Sequence, residues 1–193
     1  SSRTSPLEIA EQVRQFQRAY LIWLHGDVFD ARNALALVIS ESANFLPALI
    51  LHAAAERELA NEDALTPERA KTFYESAASY LARAVIAAEN ADMPNLAQAL
   101  YAHQLYDELF AASDSSMIEK VREQASTRLS DNAEAIDEQA RVHYIWLQHI
   151  SAYLLAERDD QRIQVAVMFE RELGKHAHKL RKLLNQMKRG QAG

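Results

Sequence analysis

Cysteine is absent from this chain and glycine nearly so: the 193 residues hold no cysteine and four glycines, none between residues 27 and 173. Without cysteine there is no disulfide framework, thiol nucleophile, thiolate zinc site or iron–sulfur cluster, and the chain suits a reducing compartment. Glycine is the default residue of tight turns and of loops that cradle phosphate. There is no G-x-G-x-x-G, no G-x-x-x-x-G-K-[ST] and no G-x-S-x-G, which excludes the common nucleotide folds and the nucleophile-elbow hydrolases. Strand signals are missing too: no segment alternates cleanly between polar and apolar residues, and no Asn-Gly or Asp-Gly pair marks a hairpin. Only Pro47, Pro67 and Pro94 interrupt the glycine-free run. What these absences leave is an all-α chain whose helices are joined by short, side-chain-capped connections.

The rest of the composition is ordinary. At 49% apolar and 25% charged residues the chain is globular, and at this length folding removes roughly 70% of the unfolded surface from water. Charge is distributed unevenly. Residues 1–172 carry 15 basic and 27 acidic side chains, a net −12, whereas residues 173–193 carry six basic side chains and no acid. An acidic body argues against general nucleic-acid binding, which needs a basic face. No basic-then-apolar leader is visible at the start, so a cytoplasmic location is expected. The start Ser1-Ser2-Arg3 lacks methionine and leaves a periplasmic fragment open.

Helix signals follow one another along the chain. Ser5-Pro6-Leu7-Glu8 is a capping box that opens an amphipathic run ending near His25-Gly26. Asp30 is the expected cap of a second helix to about Ser42, and Pro47 starts a third that reaches Asn61. Thr66-Pro67-Glu68 and Met93-Pro94-Asn95 start the fourth and fifth. Ser116-x-x-Glu119 reads as a second capping box. The apolar positions from Ile118 to Leu154 keep a spacing near 3.6, which predicts one continuous helix of roughly 40 residues, about 60 Å long. A break is expected at Arg158-Asp159-Asp160-Gln161. Ile163, Ala166, Glu170, Leu173, Ala177, Leu180, Leu184 and Met187 then form a heptad seam. The expected architecture is therefore a single all-α domain over 1–193, a helical bundle of six to seven helices. Its two long C-terminal helices would form an antiparallel hairpin or dimer seam, with 1–113 and 114–193 as the alternative subdivision. The one internal echo is Arg18-Ala-Tyr-Leu-Ile-Trp-Leu against Arg141-Val-His-Tyr-Ile-Trp-Leu, which contains both tryptophans.

The histidines, aromatic residues and isolated charges supply the candidate sites. Glu41 is the only ionised residue in the stretch 33–55. A membrane span there is disfavoured by that carboxylate, which alone costs about 2.5–3.5 kcal/mol at a helix centre. His52/Glu56, His103/Asp107 and Glu172/His176 have the four-residue spacing of helical metal ligands. With 27 acids in the chain, composition alone supplies such pairs, so no metal or other cofactor is assigned. His52-x-x-x-Glu56 with His25 upstream resembles part of a hemerythrin ligand set, but the partner His-x-x-x-His motif is absent and no ligand is carried over. His103 and His143 replace apolar residues in core stripes, and His149 lies in the apolar run 142–156. With Trp23, Tyr144 and Trp146 they suggest a polar-lined aromatic pocket, Glu41 being a further ligand-binding candidate. The alternative is that the histidines are core residues bonded to tyrosine hydroxyls or backbone carbonyls.

Arg171 and His176 match the loose Arg-x4-6-His pattern and so resemble the HEPN ribonucleases, small all-α bundles that cleave RNA without metal across a dimer; the match covers six residues, with Glu172 after the arginine. That resemblance implies a catalytic role for Arg171 and His176. The reading of the residues as a whole is a non-enzymatic interaction or regulatory module of adaptor or immunity type, a homodimer or a binder of another protein. The alternatives are a sensory bundle with a small ligand in the Trp/Tyr/His pocket, and a HEPN-like metal-independent ribonuclease.

Overall fold

The structure, a computed structural model, describes residues 5–62, 65–131 and 136–173. Among these residues there are eight α-helices and no strand: α1 (Pro6–Leu24), α2 (Val28–Glu41), α3 (Leu46–Ala60), α4 (Pro67–Asn90), α5 (Pro94–Ala111), α6 (Ser115–Asp131), α7 (Glu138–Leu155) and α8 (Asp159–Leu173). The all-α expectation is met. No helix among the described residues is long and apolar enough to cross a membrane.

Local chemistry sets most of the boundaries. Ser5 Oγ accepts from the Glu8 amide at 3.2 Å while Glu8 Oε2 accepts from the Ser5 amide at 2.7 Å, the reciprocal bonds of a capping box. Thr66 caps α4 through the Arg69 amide. Turns are made almost without glycine. Among the described residues Gly26 takes a positive φ, 89°, between α1 and α2, and Asp92 takes the left-handed position, φ 56°, between α4 and α5. Aspartate is one of the few residues that accept that conformation, because its short polar side chain can bond locally.

Three boundaries differ from expectation. α2 begins after Asp27, one turn earlier than a cap at Asp30 would allow, and Asp30 lies in the first turn. The α6 cap is Asp114, whose Oδ1 accepts from the Met117 amide at 3.0 Å and the Ser116 hydroxyl at 2.7 Å. The larger correction concerns the expected 40-residue helix. It is two helices: α6 ends at Asp131, and α7 starts after Asp137, which accepts from the Gln139 and Ala140 amides. The two helices fold back on each other, with Gln148 Nε2 donating to Ser126 Oγ at 2.6 Å. Each buries its own 3.6-residue stripe against the same neighbours, so the apolar spacing survives the break.

Successive helices pack against one another and are joined by short connections. In the α3/α4 pair, Glu56 meets Ser76, and His52, one turn earlier on α3, meets Tyr80, one turn later on α4. A second set of contacts links alternate helices. Trp23 on α1 reaches Glu58 on α3, Arg57 on α3 reaches Asp107 on α5, and Tyr106 on α5 reaches His143 on α7. Small residues permit this close approach: Ala48, Ala53, Ala77, Ala84, Ala88 and Ala97 are all buried in one cluster with Leu35, Leu49 and Leu81. A second cluster joins Leu105, Val121, Tyr144, Trp146, Leu147 and Phe169. Helix α5 supplies Ala97 and Leu100 to the first cluster and Ala102, Leu105 and Leu109 to the second.

Helix α8 turns Phe169 inward, while Ile163 is 64% exposed and Glu170 faces solvent. The inward face is therefore displaced from the expected heptad; Ala177, Leu180, Leu184 and Met187 lie outside the described residues, as does the rest of the basic end.

Candidate functional site

Helix α3 is the centre of the candidate site. Its first ten residues are uncharged and its end carries Glu56-Arg57-Glu58, three consecutive charges that a helix must point in three directions. Arg57 and Glu58 connect α3 to its alternate neighbours, whereas Glu56 points into the core.

The Arg57 pair is the strongest polar contact in the group. Arg57 Nε donates to Asp107 Oδ1 at 2.7 Å and Nη2 donates to Oδ2 at 2.8 Å, a two-pronged ion pair. Asp107 is fully buried, while about a third of the Arg57 side chain (33%) reaches solvent. Burial pushes the Asp107 carboxyl above its ordinary range, and the Arg57 bonds oppose that shift. Arg57 Nη1 also lies 3.5 Å from His103 Nδ1, and Nη2 donates to the His103 carbonyl at 3.4 Å.

His103 leads on to α7. Its ring centroid is 5.5 Å from that of His143, and the Tyr106 hydroxyl lies 2.9 Å from His143 Nδ1. Tyr106 packs on Trp146, with centroids 4.4 Å apart. His103 is held down to about 4 by burial first, then by the Arg57 cation and His143. Burial also lowers His143 and moves the Tyr106 phenol far upward. The group is therefore a neutral histidine pair and a neutral tyrosine beside one compensated ion pair. Trp146 is buried, and its Nε1 has no hydrogen-bond partner among the described residues.

The expected pocket residues are thus divided. His103, His143 and Trp146 come together with Tyr106. Tyr144 is buried on the same helix; its hydroxyl donates to the Gln98 carbonyl at 2.9 Å and burial pushes the phenol up to about 12. His149 points to α8, with Nε2 2.7 Å from Glu172 Oε2 and its ring edge-on to Phe169. Trp23 stands apart on α1, donating through Nε1 to Glu58 Oε2 at 2.7 Å. Glu41, the further ligand-binding candidate, stands apart from this group: it is exposed at the end of α2 and opens on an acidic groove with Glu8 and Glu11. Arg171 is exposed near the end of α8, and His176 lies outside the described residues.

A second buried polar group lies between α2, α3 and α4. Glu56 Oε1 accepts from Arg32 Nε at 2.7 Å and from Ser76 Oγ at 3.0 Å, with His52 Nδ1 3.8 Å away. His52 stacks on Tyr80 at 3.8 Å and is held down to about 4, mainly by burial and then by Arg32 and Arg83. Arginine thus occupies the carboxylate in two of the three four-residue pairs with metal-ligand spacing, and the third carboxylate, Glu172, meets His149 instead. Among the described residues no three His, Asp or Glu side chains gather as metal ligands.

Sequence reading missed Arg32, Arg57 and Glu58. The available signal was the charge triplet that ends an otherwise uncharged helix. No protein-family model, curated protein or solved structure matches the chain.

Proposed function

We propose that the protein is a non-enzymatic helical interaction module that binds a protein partner across α1, α3, α5 and α7. The carrying observation is the row of half-buried aromatic, histidine and arginine side chains that links these alternate helices: Trp23 to Glu58, Arg57 to Asp107 and His103, and Tyr106 to His143. Tyrosine, tryptophan and arginine dominate the energetics of protein interfaces, because each buries a large area around one fixed polar group. Here their polar atoms are already held by neighbours, so binding would cost little side-chain ordering. An adaptor or immunity-type role, acting on a partner or a second copy, fits such a surface.

A site-specific photo-crosslinking residue tests this reading in the cells that make the protein. Crosslinkers at Tyr20, His103 and His143 should give discrete protein adducts, while those at exposed Ser40 on α2 and Glu123 on α6 should not. Equal adducts from both sets, or none, would refute the reading.

A second reading is favoured by one observation, the unpartnered Nε1 of buried Trp146 beside Tyr106. In it the His103/Tyr106/His143/Trp146 group holds a small polar ligand. Native mass spectrometry of the purified chain decides between the two, because a retained small molecule whose binding His143→Leu abolishes would support the sensory reading.

A further inference from the structure

We infer that Tyr20, Trp23 and Glu58 form a seat for a cationic side chain, lysine or arginine, of the partner; this rests on the interaction-module reading above. Trp23 and Tyr20 lie one turn apart on α1 with ring centroids 6.1 Å apart and planes 30° apart, and Phe16 continues the row behind Tyr20 at 6.3 Å. Tyr20 is 41% exposed. The indole N–H of Trp23 is spent on Glu58 Oε2, which fixes the ring and holds the carboxylate against its edge. What remains is the electron-rich aromatic surface with an exposed carboxylate beside it, the two features that attract an ammonium or guanidinium group.

The other described residues leave this surface free of any cation. Guanidinium groups cover Phe73, Tyr80 and Tyr101, but no described cation lies on Tyr20 or Trp23. Glu58 makes no ion pair among the described residues, whereas Glu56 and Asp107 are each neutralised by an arginine. Exposed Leu21 and Leu24 extend the same end of α1. The partner surface that fits is a basic residue flanked by apolar ones. The net −12 of residues 1–172 would draw such a partner in.

The test is selection of random 12-residue peptides on phage against the full chain, followed by affinity measurement on the tightest synthetic peptide. Lysine or arginine should be enriched at one position, and replacing that residue by norleucine should weaken binding at least fivefold. Glu58→Gln should weaken it about fivefold and Trp23→Ala at least tenfold, with Trp23→Phe retaining most of the affinity. Circular dichroism of each variant checks that the helices are intact. Peptides without a shared cation, or bound equally by Trp23→Ala, overturn the seat. If such peptides shift the His103 and His143 resonances instead, the module reading survives and the seat does not. If the full chain selects no peptide and stays monomeric, both fail. A chain that self-associates through Trp23 and ignores peptides also overturns the proposal.

Discussion

Replacing Arg57 by leucine should destabilise the protein by about 3–5 kcal/mol at neutral pH, and the size follows from which partner is buried. The Asp107 carboxylate is fully buried and its two oxygens are held by Arg57 at 2.7 and 2.8 Å. Removing the arginine strands a charge in the core, the costliest way to break such a pair. The reverse change, Asp107→Leu, leaves a guanidinium that is already a third exposed and can turn to water, so it should cost clearly less, about 1–3 kcal/mol. The double variant should recover most of the loss, because two apolar groups of similar volume replace the pair. Acid supplies an independent check. Burial raises the folded-state pKa of Asp107, so its charged form penalises folding and its protonation relieves that penalty. Without Arg57 the opposing bonds are gone and the pKa rises further. The gap between Arg57→Leu and the parent protein should therefore narrow as pH falls toward the usual carboxylate range near 4. Urea unfolding of the four proteins at pH 7 and pH 5 measures all of this. A loss under about 1 kcal/mol for Arg57→Leu at pH 7, or a gap that does not change with pH, would refute the buried-charge argument.

The parent protein itself should lose stability in acid. His52 and His103 have folded-state values near 4 against an ordinary 6.5, so the unfolded chain binds protons first and stability falls as pH drops from 6.5 to about 4. Urea midpoints should show it, and His52→Phe should flatten the profile. Tyr106→Phe removes the hydroxyl 2.9 Å from His143 Nδ1 and should cost about 0.5–1.5 kcal/mol, with an upward shift of a His143 ring resonance in a pH titration absent from a merely packing change. Asp137→Ala removes the cap of α7 and should cost about 1 kcal/mol, with faster amide exchange confined to the first turn after Asp137.

Caps and prolines were the legible part of this fold. Ser5, Thr66 and the Pro6, Pro47, Pro67 and Pro94 starts all stand in the first turns or caps where chain chemistry placed them. The break between α6 and α7 was hidden because periodicity reports which face is buried and not whether the axis continues; Asp137 followed by Glu138 was the local warning. The site was half legible. Histidines in apolar stripes pointed to the α5/α7 group, and His143 does meet a tyrosine hydroxyl. Arg57 and Glu58 were missed because a charged residue at a helix end is ordinary, and only the approach of α1 and α5 gives these two their partners.

The Arg18–Leu24 and Arg141–Leu147 echo shows where sequence similarity stops being informative. Both segments lie in helices of the alternate row, α1 and α7, and each ends with a tryptophan one residue before a leucine. On α7 that leucine is fully buried and Trp146 packs against Tyr106; on α1 the leucine is 55% exposed and Trp23 bonds to Glu58. The same helical face is thus covered at one end of the row and open at the other. Packing neighbours account for the difference: among the described residues α7 packs against α5, α6 and α8, whereas α1 packs chiefly against α2 and α3. An aromatic stripe of core composition on a helix with too few neighbours is the surface a partner would complete, which is why the seat at Trp23 and not the cluster at Trp146 is the place to look for one.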